Sequence, residues 1–404
     1  GMKRSMNKHS NESHIKSDAV QDEFQSFNLF SRLSAALSSP INGRVVLGPN
    51  WFASVMGTGI VAIAGATLPV QFPGLFYISS AAWMLAVILL TVMLVVIPIH
   101  WIRQPGTFTA IARDPILIQF FGAPPMALMT VGTATLLIGS HYVGQSTAIA
   151  IDSVLWLIGS ILGFITAVAV PYRLFTQLSV SSDAAFGGWL MPVVPPMVSA
   201  TGGALLVPYM EAGPFRESLL LICYAMFGMS LVASLIIITM IWSRLAHFGS
   251  SGSTRVPTLW IVLGPVGQSI TAACALGRAA ITAIDEPFAT GFKTFALAYG
   301  VPMWGFIWLW LPIALLLTIR ARHKQMGFAL TWWSFTFPIG TCVTGTSLLA
   351  VLTGLPMFQW TAVFLFVILI SAWFVVLTRS AHGSLRGQLL TPSLNAPHPK
   401  AFKD

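Results

Sequence analysis

Apolar residues fall in long blocks along this chain, each near the ~20 residues that a helix needs to cross a bilayer. Ten blocks are read, near residues 49–68, 75–99, 118–139, 153–172, 187–209, 217–243, 257–280, 293–319, 328–352 and 357–379. A lipid interior offers backbone N–H and C=O groups no partner, so each block predicts a helix. Residues 1–44 form a polar tail, within which Phe24, Phe27, Phe30, Leu33 and Leu37 recur at helical spacing over 23–37 and predict a surface helix. The spanning domain covers 45–380, and 381–404 form a second polar tail.

The blocks alternate in character. Odd ones read SVMGTGI (54–60), FGAPPMALMTVGTA (121–134), MPVVPPMVSATGGA (191–204), LGPVGQSITAAC (263–274) and TFPIGTCVTGT (336–346). Four of these five hold an interior proline, and the first has Gly57 and Gly59 at the comparable place. Even blocks such as WMLAVILLTVMLVV (83–96) and FLFVILISAWFVVL (364–377) hold neither proline nor glycine; the eighth, with Pro302 and Pro312, is the exception. A proline inside a helix removes an N–H and clashes with the preceding turn, so kinks are expected in the odd helices. A two-helix unit repeated five times accounts for the alternation. The expected fold is an all-α membrane protein, with ten transmembrane helices arranged as five helical hairpins around a central pore. The odd helices are expected to be kinked and inner.

Composition agrees with this class. Apolar residues make up 55 % of the 404 residues and charged residues 8 %, with a mean hydropathy of +0.79. The net charge of +9 does not point to nucleic acid, because the basic residues sit in loops. The two tails and the loops after even blocks hold 18 Lys and Arg, against 3 in the loops after odd blocks. By the positive-inside rule both termini are expected in the cytoplasm, in a protein of the plasma or inner membrane. Cys223, Cys274 and Cys342 lie within blocks at no paired spacing and read as small apolar side chains.

The chemistry follows from which polar groups reach membrane depth. No acidic residue lies mid-block on this reading, and histidines 100, 141, 247 and 323 fall at loops or block ends. Cation carriers and proton relays place such groups at depth, so both are disfavoured. An anion path instead needs weak, repeated donors. Residues expected to line it are Gly57, Thr58, Gly59, Pro125, Thr130, Pro196, Ser199, Thr201, Pro265, Gln268, Ser269, Pro338, Thr341 and Thr344, with the hydroxyls of Thr133 and Thr271 beside them. Arg278, near the end of the seventh block, reads as an anion-attracting mouth or an interfacial anchor. HExxH, GxSxG and His/Asp clusters do not occur, so an enzyme is the remote reading, and no metal or cofactor is called for.

GPNWFASVMGTGIVA (48–62), GPVGQ (264–268) and WWSFTFP (332–338) resemble the tellurite-resistance/dicarboxylate transporter family, which includes plant slow anion channels, fungal sulfite pumps and the yeast malic-acid permease. The resemblance spans about residues 45–380. It implies a homotrimer with one pore per protomer, and a phenylalanine of the ninth helix that plugs the pore. The TFP motif places that gate on Phe337, with Phe335 as runner-up. The cargo implied is a small anion, first a sulfite-type oxyanion leaving the cell. The alternative is a C4-dicarboxylate such as malate or succinate, with proton coupling open.

Overall fold

A computed structural model describes residues 47–250, 255–324 and 326–385. The tail over 1–44, its surface helix over 23–37 and most of the tail over 381–404 lie outside the described residues. Among the described residues the regular structure is helical. Its longer helices are α1 (Ala53–Thr67), α2 (Leu75–Arg103), α3 (Ala123–Ala134), α4 (Gln145–Thr176), α5 (Pro195–Leu206), α6 (Pro214–Phe248), α7 (Leu263–Ala283), α8 (Phe288–His323), α9 (Phe337–Thr353) and α10 (Pro356–Leu385). The last runs five residues into the stretch expected to be tail.

Eight helical stretches among the described residues are long and apolar enough to cross a bilayer, so this is an integral membrane protein. The two other predicted crossings are short helices, α1 with 15 residues and α5 with 12. Burial separates two classes. In the most apolar windows, 78–100 % of residues are buried for the stretches containing α3, α7 and α9, against 17–28 % for α2, α4, α6, α8 and α10. Each odd-numbered helix packs on the next odd-numbered one, and α9 packs on α1, so the five close a ring. Each also packs on the even helix that follows it in the chain, which presents its apolar outer face away from the ring.

The prolines act differently from the expectation. Pro338 does not kink a continuous helix; it is the second residue of α9, after a separate 3-10 turn at Leu330–Phe335. Pro124 and Pro195 likewise stand in the first turns of α3 and α5, and Pro265 is the third residue of α7. First-turn N–H groups have no acceptor within their own helix, so proline costs little there and its fixed φ starts the helix. All five odd helices are preceded by a 3-10 turn, at Pro49–Phe52, Leu117–Gly122, Gly187–Leu190, Pro257–Val262 and Leu330–Phe335. The interior prolines are in even helices, at Pro98, Pro171, Pro302 and Pro312.

Close contact between α7 and α9 needs a missing side chain. A Cβ on Gly267 would stand 2.5 Å from Thr341 Oγ1 and 2.6 Å from the Cys342 backbone nitrogen. The seam is tied by the Thr341 hydroxyl, which reaches the Leu263 carbonyl at 3.2 Å, and by the Thr271 and Thr344 hydroxyls 2.8 Å apart.

Candidate functional site: two cavities meeting at Phe337

The ring encloses two cavities. The first, of about 130 Å³, lies where the odd helices begin. It is lined by Ala53 and Met56 of α1, Met126 of α3, Val194 just before α5, Gly264 and Pro265 of α7, and Phe337 and Pro338 of α9, together with residues of the preceding turns. The second, of about 280 Å³, lies among the later turns and is lined by Ile60, Ile63, Thr130, Thr133, Val198, Thr201, Gln268, Thr271, Arg278, Thr344 and their neighbours. Among the described residues, Phe337 alone belongs to both linings, and it is only 6 % exposed. One aromatic ring therefore stands between the two spaces.

The first cavity is apolar except for Asn50, Thr331, Ser334 and backbone, whereas the second is edged with hydroxyls, one amide and one guanidinium. Neither lining includes an acidic side chain among the described residues. Many of the hydroxyls are already engaged: Thr130 donates to the Met126 carbonyl at 2.6 Å and Thr271 to the Gly267 carbonyl at 2.9 Å. The Gln268 amide donates to Thr201 Oγ1 at 2.8 Å and keeps a second N–H, and the Arg278 side chain is exposed at the edge of the second cavity.

Six of the fourteen predicted lining residues border a cavity: Thr130, Thr201, Pro265, Gln268, Pro338 and Thr344; Thr133, Thr271 and Arg278 do so as well. Thr58 and Ser269 instead turn toward outer helices, and Ser199 toward the neighbouring inner helix α3. Thr58 Oγ1 accepts from Trp373 Nε1 at 3.1 Å, and Ser269 Oγ accepts from the Tyr299 hydroxyl at 2.6 Å. The Ser199 carbonyl accepts from Trp156 Nε1 of α4 at 2.8 Å, and its hydroxyl donates to Met129 Sδ of α3 at 3.2 Å. Thr341 is spent on the α7 seam, Gly57 and Gly59 pack against Thr336 and Thr130, and Pro125 and Pro196 border neither cavity. Phe335 meets the rings of Trp260 and Trp332 edge-on and also lies outside both linings. Ile60, Ile63 and Val198 line the second cavity with apolar side chains, and nothing in their sequence context marks them.

The structure adds a buried acid to this picture, near the start of a spanning helix. α4 begins at Gln145, eight residues before the predicted crossing, so Asp152 is inside the helix and fully buried. Neither carboxylate oxygen has a hydrogen-bond partner among the described residues, and the side chain lies against Gly132 of α3. It belongs to neither cavity lining and sits behind the ring. The apolar block missed it because Gln145, Ser146 and Thr147 continue the helix without being apolar.

Similarity to known proteins agrees with an anion path. The chain is 28 % identical over 349 residues to the sulfite efflux pump SSU1 of Trichophyton rubrum, covering 84 % of this chain and 92 % of that one. It is 27 % identical over 347 residues to an uncharacterized transporter of Methanocaldococcus jannaschii, covering 86 % and 97 %. A protein of Schizosaccharomyces pombe named for malic acid transport is 22 % identical over 220 residues, 53 % of this chain and 49 % of that one. Residues 46–381 match the family described as SLAC1, voltage-dependent anion channel, and the chain therefore belongs to that family of membrane anion channels and transporters.

Proposed function

We propose that the chain passes small anions along the axis of the odd-helix ring, and that its cargo is a sulfite-type oxyanion carried out of the cell. The observation that carries this reading is the pair of cavities joined at Phe337, whose linings hold Arg278 and no acid among the described residues. A ring in an apolar constriction bars hydrated ions until it turns aside, with no charge required. Phe337 is thus the gate, and Phe335 the runner-up. The cavity-facing hydroxyls and the free N–H of Gln268 stand in weakly for hydration, at about 1 kcal/mol per contact, which lets an ion leave as well as bind.

On this reading all ten predicted crossings span the bilayer as five hairpins, with α1 and α5 completed by their flanking turns. The positive-inside split of 18 to 3 supports both termini in the cytoplasm of the plasma or inner membrane. Family resemblance supports a homotrimer with one pore per protomer, and similarity to fungal sulfite efflux pumps supports the oxyanion. A lone guanidinium in the linings fits a small oxyanion better than a dicarboxylate, which two basic groups would bind in a paired fashion. A proton-coupled C4-dicarboxylate carrier is the second reading, favoured by the buried carboxyl of Asp152 and the malic-acid relative.

Flux of sulfite, chloride, nitrate and malate into liposomes carrying the purified protein tests this. Sulfite should move fastest and without an imposed proton gradient. Selective cation flux would end the anion reading, and malate flux that needs a proton gradient would install the second.

A further inference from the structure

A third cavity, of about 280 Å³, lies beside the ring near the start of α3 and the loop that follows α4. Ile116 lines it and also the first cavity, so the two are neighbours along one side of the molecule. Arg255 lines it from the turn before α7, with 7 % of its surface exposed. Its guanidinium is held in place: Nη2 donates to the Ala184 carbonyl at 2.5 Å and to the Asp183 carbonyl at 3.4 Å, and the carbon of the fork lies 5.3 Å from the Phe186 ring centre. Nε has no partner among the described residues. Arg244 of α6, 2 % exposed, lies close enough to Arg255 and Asp183 to interact electrostatically, and its Nε and Nη1 are also unpartnered among the described residues.

Both buried guanidinium groups keep N–H donors without an acceptor among the described residues, and an oxyanion is an acceptor that their planar forks fit. Asp183, in the same lining, opposes this. The hydroxyl of Ser181 donates to its carboxylate and holds it below the ordinary carboxylate range, so its charge is present. Arg244 does not border the space itself; counted with Arg255 against Asp183, it leaves a formal excess of one positive charge in the neighbourhood. Ser179 and Ser181 border the space as well.

We propose that this cavity is a loading site that binds one small oxyanion, of sulfite or sulfate size, beside the entrance to the first cavity. The proposal rests on the reading of the two cavities as the anion path. Its distinctive consequence is on concentration dependence. A loading site sets the half-saturating anion concentration on its own face of the membrane, whereas the constriction at Phe337 sets the maximal rate.

The test measures sulfite binding by calorimetry to the full-length protein in lipid nanodiscs, and sulfite flux in liposomes sorted by orientation. Arg255→Gln should weaken binding about tenfold and raise the half-saturating sulfite on the Arg255 face by a like factor, while leaving flux at saturation near the parent value. Arg255→Lys keeps the charge and loses the fork, and should give a smaller shift in the same direction; it decides the matter if the glutamine variant does not fold. Parent-like binding in the folded variants overturns the loading site. Bound sulfite lost in Arg255→Gln, in a protein that carries no sulfite flux at all, would keep the site and remove the path on which its role rests.

Discussion

Trp373 on α10 donates its indole N–H to Thr58 Oγ1 on α1 at 3.1 Å, joining residues 315 positions apart in the chain. The bond ties the last helix to the first. The same device recurs around the molecule: Trp83 of α2 reaches Thr135, just beyond α3, at 3.0 Å; Trp156 of α4 reaches the Ser199 carbonyl on α5; and Trp304 of α8 reaches Thr346 on α9 at 3.1 Å. In each case an even-numbered helix bonds to the odd-numbered helix that follows it around the ring, or to the residue just beyond that helix. A buried indole N–H needs an acceptor, and hydroxyls and carbonyls of the inner helices supply it.

Thr58→Val should therefore act on stability rather than on conduction. Its expected cost is roughly 0.5–1.5 kcal/mol, with Trp373→Phe costing a similar amount and the double variant less than the sum. Denaturation in detergent measures all three, and sulfite flux per folded protein should stay near the parent value. A large change in conductance by Thr58→Val would return this hydroxyl to the pore.

Phe337→Ala opens the boundary between the two cavities. Anion conductance in planar bilayers should rise severalfold or more, because among the described residues the ring is the one side chain shared by both linings. Phe335→Ala should change conductance little, since that ring packs on Trp260 and Trp332. A rise in the Phe335 variant alone would reassign the gate.

Arg278 borders the second cavity with its side chain exposed. Arg278→Ala should reduce anion flux most near 10 mM salt, where the screening length is about 30 Å, and little near 1 M, where it is about 3 Å. An equal loss at both salt concentrations would make the residue a structural anchor.

Gly132 and Asp152 form a pair with two separable consequences. A Cβ at position 132 would stand 2.5 Å from Asp152 Oδ1, so Gly132→Ala should destabilise by ~1–3 kcal/mol, and adding Asp152→Ala should recover part of that loss. On the passive reading, Asp152→Asn should leave the response of sulfite flux to an imposed pH gradient unchanged. Loss of a gradient-driven component in this variant would identify Asp152 as the proton-binding group of a coupled carrier.

Much of this architecture is written in local sequence. Block length and apolarity alone specify membrane-spanning helices, and proline, glycine and hydroxyl content separates the buried odd helices from the exposed even ones. Two properties escape that reading. Proline content shows where a helix is interrupted but not on which side of the break it resumes, so the expected kinks are first-turn prolines following 3-10 turns. Hydroxyls lie all round the inner helices, and which of them face the axis depends on rotations fixed by neighbours. Trp373 and Tyr299 turn Thr58 and Ser269 outward, while Ile60 and Val198 line the second cavity at positions that sequence alone would not choose. The burial of Asp152 was equally a matter of packing, because it depends on how far α4 extends and on the absence of a side chain at Gly132. Local chain chemistry determined the class and the alternation; only contacts between distant helices decided which atoms meet on the axis.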